Sequence, residues 1–201
     1  MIDAQINKLT KPILDVFAKK LSKYKIKANT VTFMGFFFGL VCSFFIIKEM
    51  FVYAAVFLFI NRFFDGLDGA LARLVGETDI GAFYDITLDF LFYYIFPISF
   101  ILLDFKNTLP ICFLLLSFAA TQTSFLATAW LVEKNKLLIS DGQKKSLFYA
   151  GGITEGFETI ICFFMILIFY DFINYIAYFF GILCWITFVI RVLFVRNLLK
   201  L

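Results

Sequence analysis

Apolar residues fill most of this chain in long runs, and the polar positions that interrupt them fall at regular breaks. Six apolar segments can be measured against the roughly 20 residues that a helix needs to cross a bilayer. They cover about 31–47, 50–64, 85–103, 109–132, 157–170 and 173–195. The second continues into a run of charged and small residues, and the third carries Asp85 and Asp89 in its first turns. The fifth is short, so its helix is expected to begin earlier, within Gly151-Gly152-Ile153-Thr154-Glu155.

Ahead of these runs the pattern changes. Ile6, Leu9, Ile13, Leu14, Phe17, Ala18 and Leu21 recur at helical spacing, with Lys8, Lys11, Lys19 and Lys20 elsewhere on the wheel. That is the pattern of an amphipathic helix lying on an anionic membrane surface. No short apolar core with a small-residue cleavage site follows the first residues, so no cleavable signal peptide is expected. The expected fold is an all-α membrane protein in one domain. Residues 1–28 form an amphipathic juxtamembrane leader, and residues 29–201 form a bundle of six transmembrane helices. No linker, low-complexity tract or internal repeat divides it.

Composition strengthens the membrane reading. The chain is 62% hydrophobic and holds 31 Phe among 201 residues, more apolar surface than a soluble domain of this size can hide. The Phe excess reads as lipid-facing bulk. Histidine is absent, which removes His-based bases, triads and zinc sites and leaves carboxylates as bases or hard-metal ligands. Cys42, Cys112, Cys162 and Cys184 stand singly among apolar residues, unlike a disulfide or metal set.

Lys and Arg set the expected orientation. Lys8 to Lys27 in the leader, Lys134, Lys136, Lys144 and Lys145 between the fourth and fifth segments, and Arg196 and Lys200 in the tail all fall on one side of six spans. The opposite loops hold Lys48 and Lys106. Both termini are therefore expected in the cytoplasm, in a multi-pass membrane protein.

Four carboxylates lie within this apolar sequence. The stretch Asp65-Gly66-Leu67-Asp68-Gly69-Ala70-Leu71-Ala72-Arg73 is followed by Gly81-Ala82-Phe83-Tyr84-Asp85-Ile86-Thr87-Leu88-Asp89. On helices Asp65 and Asp68 share one face, as do Asp85 and Asp89. Carboxylates at this depth are costly and are kept for ions, protons or chemistry. Together they read as a cage for a hard divalent cation that also grips phosphate. Pairing with Arg62 and Arg73 is the competing explanation, but two arginines cannot neutralise four aspartates.

The pattern Asp65-x2-Asp68-Gly69-x2-Ala72-Arg73 … Gly81-x3-Asp85-x3-Asp89 resembles the signature of the CDP-alcohol phosphatidyltransferase family. Seven residues separate Arg73 from Gly81, one fewer than in the family pattern. The resemblance implies that Asp65, Asp68 and Asp85 ligate divalent metal, commonly a pair of Mg2+ or Mn2+ ions. It implies that Asp89 is the general base and also touches metal. Gly69, Arg73 and Thr78 match positions that contact the CDP moiety. Lys27-Ala28-Asn29-Thr30-Val31-Thr32 resembles the family's Pro-Asn-x-x-Thr start of the first span, so Asn29 and Thr32 are expected beside the nucleotide. A capped helix start at Asn29 or Thr30 explains that stretch equally well. The family also implies a homodimer.

Beyond the motif, Lys144, Lys145, Glu155 and Arg191 are candidates for binding the acceptor. Glu155 and Glu158 also suit a capped helix start, and Arg191 also suits snorkelling to the interface. The expected activity is transfer of a phosphatidyl group from CDP-diacylglycerol to a small polar alcohol, with release of CMP. Glycerol 3-phosphate is the first guess for that alcohol. A phosphotransferase moving an amino-alcohol phosphate from CDP to a lipid hydroxyl is the alternative within the family. A divalent-cation transporter would also need intramembrane carboxylates, but it would place them along a path and not at one end. Membrane lipid is an expected partner; nucleic acid is not.

Overall fold

The computed structural model describes residues 2–135 and 152–198, and every regular element among them is helical. Seven α-helices follow one another: α1 (Ile2–Lys23), α2 (Ala28–Ile47), α3 (Phe51–Val75), α4 (Asp79–Leu103), α5 (Thr108–Lys134), α6 (Gly156–Ile168) and α7 (Ile173–Leu198). Short 3-10 turns, Phe105–Asn107 and Tyr170–Phe172, precede α5 and α7. The helices pack as two compact units, Met1–Lys106 and Asn107–Leu201.

Among the described residues, four stretches are long and apolar enough to cross a membrane: Ala28–Ile47, Asp79–Leu103, Phe105–Lys134 and Tyr170–Leu198. Large apolar side chains such as Phe37, Phe59, Leu116 and Phe179 are exposed on these and neighbouring helices, which suits a lipid solvent. The other two expected spans differ for identifiable reasons. α3 has the length but carries Arg62, Asp65, Asp68 and Arg73 from its middle onward. α6 has 13 residues, about 20 Å at the helical rise, too short for the hydrocarbon core by itself.

In the first unit α2 packs on both α3 and α4. Gly35 and Gly39, one turn apart on α2, open its surface to them. A Cβ on Gly39 would lie 2.6 Å from the Phe92 ring of α4, and one on Gly35 would lie 3.1 Å from Cβ of Phe64 on α3. Small residues four apart allow close helix approach without a hydrophobic driving force, as membrane packing requires. α1 lies against α3, where Ala18, Val31, Leu67, Ala70 and Leu71 form a small core joined by Leu14, Leu21 and Ile26. The leader's apolar stripe is thus shared: Ala18 is buried on the protein, whereas Ile13, Val16 and Phe17 stay exposed for a membrane surface.

In the second unit α5 packs on α7. Gly181 of α7 sits against Phe113, and Ala177, Phe180, Cys184, Thr187 and Arg191 form its buried stripe at helical spacing. The fifth segment does not start early, as its length led us to expect. α6 begins at Gly156, fixed by a reciprocal capping box between Glu155 and Glu158, in which Glu155 N donates to Glu158 Oε2 at 3.1 Å. The preceding non-helical backbone is satisfied by one side chain: Ile153 N and Thr154 N both donate to Thr187 Oγ1 at 3.1 Å. Buried irregular backbone requires such a protein partner.

Candidate active site

The site is built where α2, α3 and α4 meet. α3 ends at Gly76, whose φ of 113° is the left-handed conformation that favours glycine, and its N–H returns to Ala72 O at 2.9 Å. α4 starts two residues after Glu77, with Thr78 as its N-cap: the Thr78 side chain accepts from Gly81 N at 3.1 Å. Asp79 in the first turn favours the positive end of the helix. Gly81 must be small here, because a Cβ would sit 2.9 Å from Thr78 Oγ1 and 3.1 Å from Asn29 Oδ1. The turn therefore brings Asn29 of α2 and Thr78 to the same spot. Asn29 and Thr30 do not cap α2; Lys27 occupies that position without a side-chain bond.

Two spaces with shared lining residues follow. An open cleft of about 270 Å³ is lined by Asn29, Thr32, Asp68, Gly69, Arg73, Thr78, Gly81 and Asp85, among others. Arg73 reaches back across Gly69, its Nη1 3.2 Å from where a Cβ would be, so the glycine makes room for the guanidinium. A small cavity of about 20 Å³, room for a single water-sized body, is lined by Thr32, Asn61, Arg62 and all four aspartates, Asp65, Asp68, Asp85 and Asp89. Thr32, Asp68 and Asp85 line both spaces. Every expected motif residue of the first unit thus borders one or the other.

The electrostatics differ from a cage of four equivalent ligands. Arg62 enters the cavity, with Nη1 2.8 Å from Asp89 Oδ1 and 3.6 Å from Asp65 Oδ2. The Asp89 contact is an ion pair without hydrogen-bond alignment. Asp68 is 4% exposed and its Oδ2 has no hydrogen-bond partner. Among the described residues no three acidic, His or Cys side chains converge as a ready ligand set. Four carboxylates are nevertheless gathered around one guanidinium, and a buried carboxylate oxygen without a donor is costly. These hard oxygen donors fit Mg2+ or Mn2+.

The sequence reading named Arg62 only as a counter-charge and passed over Asn61. Asn61 is 2% exposed; its Nδ2 donates to Gly35 O at 2.8 Å and its Oδ1 accepts from Arg62 Nε at 2.8 Å. The guanidinium also lies over the Phe92 and Tyr93 rings, at 5.2 and 5.7 Å. Polar residues next to a charged motif in an apolar run were the available signal.

Candidates outside the first unit are placed differently. Arg191 is buried on α7, where Nη1 donates to Thr121 O at 2.6 Å and to Ser124 Oγ at 3.0 Å, and its guanidinium lies over Phe125. It does not snorkel; it is held within its unit. Glu155 is the N-cap of α6. Lys144 and Lys145 lie outside the described residues.

Comparison with known proteins places this architecture. The chain is 40% identical over 193 residues to the inner membrane protein YnjF of Escherichia coli, covering 96% of this chain and 94% of that one. It is 33% identical over 87 residues to an archaetidylinositol phosphate synthase of Pyrococcus horikoshii, covering 43% of this chain and 46% of that one. The crystal structure of Mycobacterium tuberculosis phosphatidylinositol phosphate synthase PgsA1 with CDP-DAG bound shares the fold: TM-score 0.66, 18% identity, 90% of this chain and 92% of that one. The model of the CDP-alcohol phosphatidyltransferase family matches residues 25–193, which include both aspartate pairs and the cleft. The chain belongs to the CDP-alcohol phosphatidyltransferase family, and is a membrane transferase of phospholipid synthesis.

Proposed function

We propose that this enzyme transfers a phosphatidyl group from CDP-diacylglycerol to a small polar alcohol, glycerol 3-phosphate being the first to test, and releases CMP. The observation that carries this reading is a pair of spaces with shared walls: a cleft of about 270 Å³ and a cavity lined by four carboxylates, with Asp68 and Asp85 bordering both. Asn29, Thr32, Gly69, Arg73 and Thr78 bind the CDP moiety from the cleft. Arg73, a permanently charged planar fork, grips a phosphate, and Gly69 lets that phosphate approach the backbone.

Asp65, Asp68, Asp85 and Asp89 are the residues that would hold Mg2+ or Mn2+, which supplies charge compensation for the diphosphate and for CMP as it leaves. Asp89 takes the proton of the acceptor hydroxyl. The hydroxyl oxygen bonds to the phosphatidyl phosphorus, the bond from that phosphorus to the CMP oxygen breaks, and CMP departs with the electron pair. Without histidine, carboxylates are the side chains in this cavity suited to accept that proton. Arg191, Glu155, Lys144 and Lys145 are proposed on the acceptor side, for an acceptor that bears phosphate.

In this reading α2 to α7 make six crossings of a bacterial inner membrane, both termini are cytoplasmic, and two chains form a homodimer. The aspartates then lie where cytoplasmic nucleotide-derived substrates reach them. A cysteine at position 3 (Asp3→Cys in a Cys-free background) should be shielded from a periplasmic thiol reagent, and one at position 106 (Lys106→Cys) labelled; the reverse pattern overturns the topology. The activity itself is tested with purified protein, CDP-diacylglycerol, Mn2+ and a panel of radiolabelled alcohols, reading CMP release. CMP formed with one alcohol and not the others supports the proposal. Absence of CMP with every alcohol overturns it.

A further inference from the structure

The cleft of the first unit has two distinct ends. Thr32, Asp68 and Asp85 are shared with the carboxylate cavity and mark the inner one. Ala28, Gly76, Glu77 and Thr78 line the cleft and not the cavity. Along α3, Gly76 follows Asp68 by eight residues, about 12 Å at the helical rise, with Ala72 midway. On α4, Gly81 precedes Asp85 by four residues, and on α2, Ala28 precedes Thr32 by four. All three helices therefore give the cleft one direction. Carboxylates lie inside, and the loop between α3 and α4 forms the mouth.

Glu77 is an unexpected residue for that mouth. Arg73 and Gly69 suit a phosphate, and a carboxylate in the same cleft opposes an anionic ligand. Glu77 stands four residues after Arg73, the spacing of a helical ion pair, yet it makes no hydrogen bond or ion pair among the described residues. The helix stops before such a pair can form. Gly76, at a φ of 113°, turns the chain out of α3, and Glu77 joins the cleft wall from the loop. This is the loop in which the chain is one residue shorter than the family pattern. Beside it, Thr78 Oγ1 is engaged by Gly81 N. Asn29 brings both a donor and an acceptor to the mouth, whereas Glu77 brings acceptors only.

We propose that Glu77 is a specificity-determining residue, which accepts a hydrogen bond from the exocyclic amine of cytosine and so selects cytidine over uridine nucleotides. The inference rests on the nucleotide reading of the cleft. With the diphosphate at the carboxylate end and on Arg73, the ribose and then the base extend towards the mouth, where Ala28, Ala72 and Gly76 leave room for a planar ring. Cytosine presents an amine donor where uracil presents a carbonyl acceptor. A carboxylate accepts from the first and repels the second, so one side chain favours the right base and disfavours the wrong one. Phosphate binding by itself gives no reason for an acid at this position.

The test is competition against labelled CDP on the purified full-length protein in detergent with Mn2+, using CDP, UDP and 2′-deoxy-CDP. The wild-type chain should bind CDP at least about tenfold more tightly than UDP, the size of a hydrogen bond to a charged group. Glu77→Gln should bring the two within about threefold, because an amide can accept from cytosine or donate to uracil. Glu77→Ala should weaken CDP and leave UDP equal or tighter. The ratio of CDP to 2′-deoxy-CDP should hold in both variants. Equal wild-type affinities for CDP and UDP overturn the proposal, and that result needs no variant to fold. A Glu77→Gln chain that keeps the wild-type ratio, or shifts both nucleotides alike, also overturns it. So does a changed 2′-deoxy-CDP ratio with an unchanged UDP ratio, which would assign Glu77 to the ribose. A wild-type chain that binds no CDP would sink the nucleotide reading and this inference with it, whereas CDP binding without discrimination would sink this inference alone.

Discussion

Two clusters of buried polar groups, one in each unit, are satisfied to different extents. In the second, Thr187 is fully buried but receives Ile153 N and Thr154 N and pairs with Thr154 Oγ1 at 3.0 Å. Arg191 is 5% exposed and donates to Thr121 O and Ser124 Oγ of α5. Thr121, Thr123, Ser124 and Thr128 return their hydroxyls to carbonyls of their own helix. These groups complete one another and hold the helices in register. In the first unit Asp68 Oδ2 is buried with no hydrogen-bond partner, and the cavity around it holds four carboxylates and one guanidinium. A fold left with unsatisfied charge at that point is built for something it must bind.

If that contrast is sound, substitutions in the two units should fail in different ways. The largest effect is expected at the base. Asp89→Asn should lower the rate of CMP release by roughly 100- to 10,000-fold, because an amide cannot accept the hydroxyl proton. Binding of CDP-diacylglycerol should survive. An equal loss of nucleotide binding, measured by equilibrium dialysis with labelled substrate, would mark Asp89 as chiefly a metal ligand.

A smaller and different effect is expected in the second unit. Thr187→Val leaves Ile153 N and Thr154 N without their acceptor, a loss of about 1–3 kcal/mol. The melting temperature should fall while turnover per folded molecule stays near wild type. A variant that melts normally but turns over slowly would break the comparison. Arg191→Lys should combine both behaviours on a lesser scale: a lower melting temperature from the lost bonds to Thr121 and Ser124, and a KM for the acceptor raised roughly tenfold. An unchanged KM would assign Arg191 to packing alone.

Much of the site was legible because its signal is local. Asp65 and Asp68, then Asp85 and Asp89, share helix faces by spacing alone, and their charge stands out against apolar neighbours. Thr78 and Gly81 were placed by motif, and the structure adds the reason, a cap that a Cβ at 81 would disturb. Arg62 was visible as an i,i+3 partner of Asp65, but its contact with Asp89 depends on how closely α3 and α4 are held by α2, which no local pattern states. The start of α6 was misjudged from length. Glu155 and Glu158 spell a capping box that points to Gly156, and the residues just before it are irregular backbone resting on Thr187. Thr187 itself looks like any threonine in an apolar run; its partners are 33 and 34 residues away.

The central claim is that the first unit's unsatisfied carboxylates serve catalysis and not stability, and Asp68→Asn tests it most directly. CMP release from CDP-diacylglycerol in saturating Mg2+ or Mn2+ is measured beside the melting temperature of the same preparation. The account predicts that release falls by roughly 100-fold or more, the consequence of losing several kcal/mol of charge compensation. It predicts as well that the melting temperature in chelator holds or rises, since a buried unpaired charge has been removed. Near-wild-type release, or a lower melting temperature with unchanged release, would contradict it.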